Sequence, residues 1–260
     1  MPYFENKNAS LYYEEKGLGY PLIFLHGATW DMRMWKRQVD YYSTNYRVVT
    51  LDARGHGKSS LPKGKVSPEI FWQDVAAMMD HLDIKKAIIC GLSMGGHVAI
   101  QTAINSQERV SGLILIGTPC TNQFNLYERI AVPINRFCQR ILPMSLIARS
   151  CAATLSGSNP EAKPYIREVV GGIDHDVYNR VWKAITSMES RAGLKDITCP
   201  TLILIGDHDW MTGRQQQYMH KHINGSRLVT VKNAHHETIF DNPEQVEHEM
   251  DAFLQALPDS

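Results

Sequence analysis

The sequence predicts an α/β fold built on a mostly parallel β-sheet with helices on both faces. Short apolar runs rich in Val, Ile and Leu recur along the chain with helical stretches between them, at residues 21–26, 46–52, 86–91, 112–117, 201–206 and 227–231. Uninterrupted runs of this kind are typical of parallel strands that are covered on both faces. A more polar run at residues 10–15 precedes the glycine-containing turn at 17–19. We therefore expect a less buried first strand and an antiparallel hairpin at the start of the sheet.

The composition excludes several classes of function. The 260 residues include 27 basic and 27 acidic side chains, so no net field attracts nucleic acid or an anionic membrane. No window approaches 18 continuous apolar residues and the first residues do not resemble a secretion signal, so a cytoplasmic location is expected. Five widely spaced cysteines favour free thiols over a disulfide framework. The expected partner is a small, neutral or weakly charged molecule, and no oligomeric state is predicted.

The segment Gly91-Leu92-Ser93-Met94-Gly95-Gly96 directly follows the apolar run at 87–90. A serine flanked by glycines at the end of a buried strand lies on a turn so tight that its hydroxyl projects above the sheet. The small residues that begin the stretch 95–105 allow a helix to pack closely on that strand. A bare pattern of this kind also occurs in ordinary glycine-rich loops. The prediction of Ser93 as a nucleophile therefore needs a histidine and an acid later in the chain.

The segment between Gly117 and Thr201 interrupts the strand pattern for about eighty residues, which is too long for a simple crossover. Apolar side chains recur there at helical spacing, first as Ile130, Ile134, Phe137 and Ile141 and then as Val177, Val181, Ile185 and Met188. We predict a core formed by residues 1–119 and 195–260, with an inserted helical cap over the active site at 120–194. The alternative is a set of surface helices remote from that site.

A serine hydroxyl becomes a good nucleophile only when a base takes its proton and an acid holds that base in one tautomer. In an open α/β sheet, reactive groups gather at the carboxyl ends of the strands. That position selects five of the eleven histidines, namely His26, His56, His208, His235 and His236. Two candidate acids, Asp207 and Asp209, follow the run at 201–206.

The segment at 233–243 closely resembles the α/β-hydrolase superfamily. In that superfamily the catalytic histidine precedes a proline by seven residues with an acid at the fifth, as in His236, Asp241 and Pro243. The resemblance implies that His236 rather than His235 is the base. The superfamily pattern of a glycine, two residues and an aspartate implies Asp209 as the acid, with Asp207 as the alternative.

Two further blocks extend the resemblance. His26-Gly27 follows the first core strand, and the block at 52–59 carries the superfamily's Arg-Gly-His-Gly. The resemblance implies an eight-stranded sheet and an oxyanion hole made by the backbone amides of Ala28 and Met94. No cofactor is expected and no metal site is predicted, because the His220-x-His222 pair lacks a nearby third ligand and residues 52–59 lack the first glycine of a phosphate-binding loop.

Serine at position 93 argues against the dehalogenase and epoxide-hydrolase branches, whose nucleophile is a carboxylate. The chain resembles small carboxylesterases and enol-lactone hydrolases, which implies cleavage of a small, largely apolar ester or lactone. Trp30 and Trp182 are expected to line an apolar substrate pocket. Two alternatives remain: a C–C bond hydrolase acting on ring-fission products, which commonly has tryptophan where this chain has Glu237, and a signalling receptor that retains the triad but mainly binds its ligand.

Overall fold

The computed structural model describes residues 2–155 and 162–257, and within them the chain forms one sheet of eight strands. The strands are β1 (Tyr3–Asn6), β2 (Ala9–Lys16), β3 (Tyr20–Leu25), β4 (Tyr46–Leu51), β5 (Ala87–Leu92), β6 (Val110–Ile116), β7 (Thr201–Gly206) and β8 (Arg227–Val231). Their spatial order is β1-β2-β4-β3-β5-β6-β7-β8. Strands β3 to β8 run parallel, whereas β2 is antiparallel to both β1 and β4. The predicted mostly parallel, eight-stranded fold is confirmed.

Helices surround this sheet. Over the described residues they are α1 (Lys36–Tyr42), α2 (Ile70–His81), α3 (Met94–Asn105), α4 (Leu126–Ile141), α5 (Met144–Leu155), α6 (Ala162–Gly171), α7 (His175–Ile185), α8 (Gly213–His222), α9 (Thr238–Asp241) and α10 (Pro243–Gln255). Side chains alternate between two apolar clusters along the strands, because successive strand residues point to opposite faces. Ile23 and Leu25 join the cluster that contains α2 and α3, while Leu22 and Phe24 join the cluster that contains α10.

The antiparallel hairpin at the start of the sheet joins β1 to β2. Its turn residues, Lys7 and Asn8, have φ values of 46° and 63°, as a tight hairpin turn requires. The expectation of a less buried strand at 10–15 agrees with β2, where Glu14 and Glu15 are exposed, although Leu11 and Tyr13 pack in the cluster with α2. The turn at 17–19 does not close a hairpin, because β4 lies between β2 and β3.

Helices α4 to α7 form one insertion between β6 and β7, within the predicted cap range of 120–194. Residues 156–161 of that range lie outside the described residues, and the cap boundaries stay a prediction. The two ends of the insertion meet at the edge of the core, where Thr121 and Glu189 form an antiparallel β-bridge. Next to it, the Ser190 amide donates to the Cys120 carbonyl at 2.9 Å. Among the described helices, none combines the length and the apolar character needed to cross a membrane.

Candidate active site

Ser93 lies between the end of β5 and the first residue of α3, in a strained backbone conformation. Its φ and ψ angles are 54° and −115°, and its amide donates to the Ile116 carbonyl at 2.9 Å. The flanking glycines permit this turn. A Cβ atom at Gly95 would lie 2.0 Å from the Leu25 carbonyl oxygen, and one at Gly91 would lie 2.3 Å from the Gly95 carbonyl carbon. Close packing of α3 on the strands thus places Ser93 at the carboxyl edge of the sheet.

Asp209 follows β7 and is buried in a dense set of hydrogen-bond donors. One carboxylate oxygen, Oδ1, accepts the backbone amides of Met211 and Thr212 at 2.9 and 3.0 Å. The other, Oδ2, accepts the Thr212 hydroxyl at 2.6 Å and lies 3.2 Å from His236 Nδ1. Burial alone would raise the pKa of Asp209, but the His236 imidazole and the Thr212 donors lower it to about 2. The carboxylate is therefore ionised at neutral pH.

His236 lies in the loop after β8, and its imidazole is buried beside Gly117. A Cβ atom at Gly117 would lie 3.1 Å from His236 Nδ1 and 2.8 Å from the His236 carbonyl oxygen, so the glycine leaves room for this loop. Burial alone would lower the pKa of His236, but the hydrogen bond to Asp209 and the negative charge of that carboxylate raise it. Because Nδ1 faces Asp209, Nε2 is the nitrogen available to a serine.

The two alternatives weighed from the sequence have other partners. Asp207 accepts the Ala234 amide at 3.0 Å, and this hydrogen bond lowers the pKa of its carboxyl. His235 pairs through Nδ1 with Asp241 Oδ2 at 3.2 Å. Both contacts brace the loop between β8 and α9. The structure thus brings Asp209 to His236, and gives Asp207 and His235 positions that support the loop.

Ser93, Asp209 and His236 all line one cavity of about 840 Å³. Ala28, Met94 and Trp182 also line it, together with apolar side chains that include Phe124, Val132, Ile185, Met188 and Trp210. A larger cavity of about 1120 Å³ lies beside β2 and β4 and contains none of the three. Because Ser93, Asp209 and His236 come together only in the smaller of these two cavities, that cavity is the candidate active site.

Trp30 does not line this cavity. It is 2% exposed and packs against Tyr165 and Phe240, with ring centroids 6.1 and 5.7 Å away. Two other histidines that the sequence placed near the site hold the adjacent loop. His56 Nε2 accepts the Thr29 amide at 3.1 Å, and His26 Nε2 accepts the Ala53 amide at 2.9 Å. Burial lowers the pKa of His56 to about 3, so its ring stays neutral and can accept this hydrogen bond.

Sequence reasoning missed two residues that shape the site. Thr212 binds Asp209 through both its amide and its hydroxyl. A partial signal was present, since an aspartate side chain in a turn commonly accepts hydrogen bonds from the backbone shortly after it, here just before α8. Gly117 gave a weaker signal. It ends a strand run at the same sheet edge as Ser93, but its contact with His236 depends on the fold.

Comparison with known proteins gives consistent results. The model of the family described as serine aminopeptidase, S33, matches residues 21–243. The chain is 28% identical over 243 residues to 3-oxoadipate enol-lactonase 2 of Acinetobacter baylyi, covering 90% of this chain and 88% of that protein. It is 28% identical over 253 residues to the pimeloyl-[acyl-carrier protein] methyl ester esterase of Nitrosomonas europaea, covering 91% and 96%.

Among solved structures, the enol-lactonase from Burkholderia xenovorans LB400 superposes with a TM-score of 0.88 at 26% identity. The match covers 98% of this chain and all of that one. The resemblance to carboxylesterases and enol-lactone hydrolases inferred from the motifs is confirmed. The chain therefore belongs to the family described as serine aminopeptidase, S33, and is a hydrolase of the α/β-hydrolase superfamily.

Proposed function

We propose that the protein, a hydrolase acting on ester bonds, cleaves a small, largely apolar carboxylic ester or lactone through an acyl-enzyme. Ser93 is the nucleophile, His236 the general base and Asp209 the residue that orients His236. The observation that supports this proposal best is that all three line one cavity, with His236 Nδ1 3.2 Å from Asp209 Oδ2. The ionised state of Asp209 suits its role, because a buried carboxylate stabilises the imidazolium that forms during proton transfer.

In the proposed cycle, Ser93 Oγ attacks the substrate carbonyl while His236 Nε2 accepts the hydroxyl proton. The tetrahedral oxyanion is held by the amides of Ala28 and Met94. Met94 is the first residue of α3, so its N–H has no acceptor within the helix and lies at the positive end of the helix dipole. The same proton then passes to the leaving alcohol. Water, activated by His236, hydrolyses the acyl-enzyme and regenerates Ser93.

The preference for a largely apolar substrate rests on the cavity walls. Phe124, Val132, Trp182, Ile185 and Met188 supply most of the apolar surface on the side of the insertion. Three acidic residues, Glu128, Asp207 and Asp209, and one basic residue, Arg214, also border the cavity, so acidic groups outnumber basic ones there. Enol-lactonases and methyl ester esterases among the relatives act on bonds of the proposed kind. We expect neutral esters and lactones to react faster than anionic ones of equal size.

The proposal is tested by Ser93→Ala, measured by labelling with a fluorophosphonate probe and by turnover of short and medium p-nitrophenyl esters and lactones. We expect labelling to disappear and kcat to fall by roughly 10⁶-fold, because the nucleophile is lost. Ser43→Ala, which removes a hydroxyl outside the cavity lining, is the control and should match the native protein. Undiminished labelling of Ser93→Ala would refute the assignment. A native protein that completes one slow turnover and retains the product would instead be a receptor.

We further propose a cytoplasmic location. All five cysteines lie within the described residues, and all five are free thiols. Thiols persist in compartments kept reducing by glutathione and thioredoxin.

A further inference from the structure

Helix α4 presents its apolar side chains to solvent. Among its residues none is buried. Five of its large apolar side chains are 57 to 78% exposed, and we call them the α4 seam: Tyr127, Ile130, Ile134, Phe137 and Ile141. Monomeric proteins expose apolar side chains singly, but a contiguous apolar stripe of this size marks an interaction site.

The opposite, polar face of α4 attaches the helix to the rest of the protein. Asn135 Oδ1 accepts the indole N–H of Trp182 at 2.8 Å. Arg136 donates to the Thr186 and Ser187 hydroxyls at 2.7 and 2.8 Å. An amphipathic surface helix normally turns its apolar stripe to the core and its polar face to water. Here the orientation is reversed, and hydrogen bonds to α7 and the residues after it hold the seam outward.

The spacing of the α4 seam matches a helical partner. Its residues follow one another at steps of three, four, three and four, which is the a/d pattern of a coiled coil over two heptads. A stripe this narrow fits one facing helix, whereas a helix that lies in a lipid surface has a broad apolar face. The 16 residues of α4 span about 24 Å, long enough for several layers of interlocking side chains.

We propose that two copies of this chain associate through the α4 seam in a two-fold symmetric, antiparallel pair. Leu126, Leu142 and Leu146, which are 37 to 73% exposed, extend the seam at its two ends. At about 100 Å² of exposed surface each, the eight side chains present on the order of 800 Å². That area equals the contribution of one partner to a stable protein–protein interface, roughly 800 Å².

The spacing of the α4 seam about its middle residue, Ile134, agrees with the antiparallel orientation. In a symmetric pair centred on Ile134, each residue faces the one that is equally far from Ile134 in the other direction on the partner helix. Tyr127 and Ile141, the first and last residues of the α4 seam, are each seven residues from Ile134. The first residue of the seam in each copy therefore faces the last residue of the seam in the other. Because Tyr127 of the seam also lines the active-site cavity, the pairing would fix part of one wall of that cavity.

The first experiment is sedimentation velocity of the full chain at micromolar concentration, comparing the native protein with the double variant Ile134→Glu, Phe137→Glu. We expect the native protein to sediment as a dimer of the 29.5 kDa chain and the variant as a monomer. Two charges at the centre of the seam should weaken self-association by about 100-fold or more. The variant should remain folded, because both side chains are exposed. Leu18→Glu, at an 87% exposed leucine in the turn after β2, is the control and should remain dimeric.

A monomeric native protein, or a dimer that survives in the double variant, would overturn the proposal. Cosedimentation of a monomeric native protein with phosphatidylglycerol vesicles would identify the seam as a lipid-binding face and would equally refute pairing.

The second experiment tests the position of the axis. In a Cys138→Ser background, Ile134→Cys should form a covalent dimer under mild oxidation, because the symmetry brings residue 134 close to its own copy. Leu18→Cys should not. A dimer that fails to cross-link through position 134 would rule out the antiparallel arrangement centred on this residue.

Discussion

At the residue scale, the carboxylate of Asp209 shows how a charge is kept inside the protein. A buried ion is costly unless hydrogen bonds replace its water shell. Asp209 receives three such donors from Met211 and Thr212 and still faces His236 with one oxygen. The donors fix the direction of the carboxylate as well as its charge. Orientation of the imidazole is thus determined by the turn that follows β7.

Asp209→Asn should lower kcat/KM for ester hydrolysis by roughly 10⁴-fold, because an amide in this position no longer holds His236 in the productive tautomer. The acid limb of the pH–rate profile should also move to lower pH. The hydrogen bond to Asp209 raises the pKa of His236, and activity requires its neutral form. Initial rates from pH 5 to 9 measure both effects. Asp207→Asn serves as the control, and an equal loss in that variant would contradict the assignment.

Glu237 is also a buried acid, but its surroundings differ from those of Asp209. It is 1% exposed, and within the described residues neither of its carboxylate oxygens has a hydrogen-bond partner. Burial raises the pKa of Glu237 from 4.5 to about 8, although the charge of His236 lowers it. In the folded protein the group is therefore largely protonated at neutral pH, whereas in the unfolded chain it is ionised.

This difference predicts a loss of stability as the pH rises. Above pH 4.5 the unfolded state releases a proton that the folded state retains until about pH 8, so the free energy of unfolding should fall across this window. Glu237→Gln removes the titration and should be more stable than the native protein at pH 8 by on the order of 3 kcal/mol, and nearly equal at pH 4. Urea unfolding at the two pH values measures this. A difference that does not change with pH would contradict it.

At the scale of elements, the turn between β5 and α3 depends on backbones that approach one another too closely for side chains. The ideal Cβ at Gly95 meets the backbone of β3, whereas the one at Gly96 meets the Thr118 side chain 1.9 Å away. Backbone atoms within a central sheet cannot move aside as a side chain can. Helix α3, strand β5 and Ser93 therefore form one rigid unit.

Gly95→Ala should destabilise the protein by about 3 kcal/mol or more and reduce activity, because the helix must move away from β3 to admit the methyl group. Gly171→Ala is the matched control. Its Cβ would meet Ala148 at an ordinary 3.7 Å, and alanine favours the helical conformation at the end of α6. Thermal unfolding and ester turnover of both variants give the comparison. Equal melting temperatures in the two would show that the close approach is tolerated.

Strand positions were predictable from the sequence, while some contacts were not. The apolar runs at 21–26 and 86–91 correspond to β3 and β5 within one residue, because buried parallel strands require continuous apolar segments. Strand β1 was not predicted, since it has only four residues and one buried side chain.

Trp30 was expected in the substrate pocket. Its burial depends on Tyr165, which lies 135 residues away and meets it only in the folded chain.

At the scale of the whole molecule, the core and the insertion have different roles in the proposed reaction. The core carries Ser93, Asp209 and His236, while α4 and α7 supply much of the apolar wall around the substrate space. Trp182 connects two helices of the insertion at this wall. Its indole N–H binds Asn135 on α4, and its ring stacks on Tyr178 with centroids 5.9 Å apart.

Trp182→Ala should raise KM for medium-chain esters by roughly 10-fold and change kcat little, because it removes apolar surface that contacts ground state and transition state alike. Trp182→Phe keeps most of that surface and should restore KM to within a few-fold. Steady-state kinetics on esters of different acyl chain length measures the effects on KM and on kcat separately. A fall in kcat with unchanged KM would place Trp182 in the chemistry and contradict this division.

The β-bridge between Thr121 and Glu189 has a consequence for how such a chain can diversify. The bridge joins the segment that enters the insertion to the segment that leaves it, at the edge of the core. The residues between these two segments are therefore attached to the core, through the backbone, at one place. Gene segments of different length could be exchanged there without disturbing the nucleophile. Replacement of the insertion would then change substrate specificity, while the proposed catalytic residues of the core stay the same.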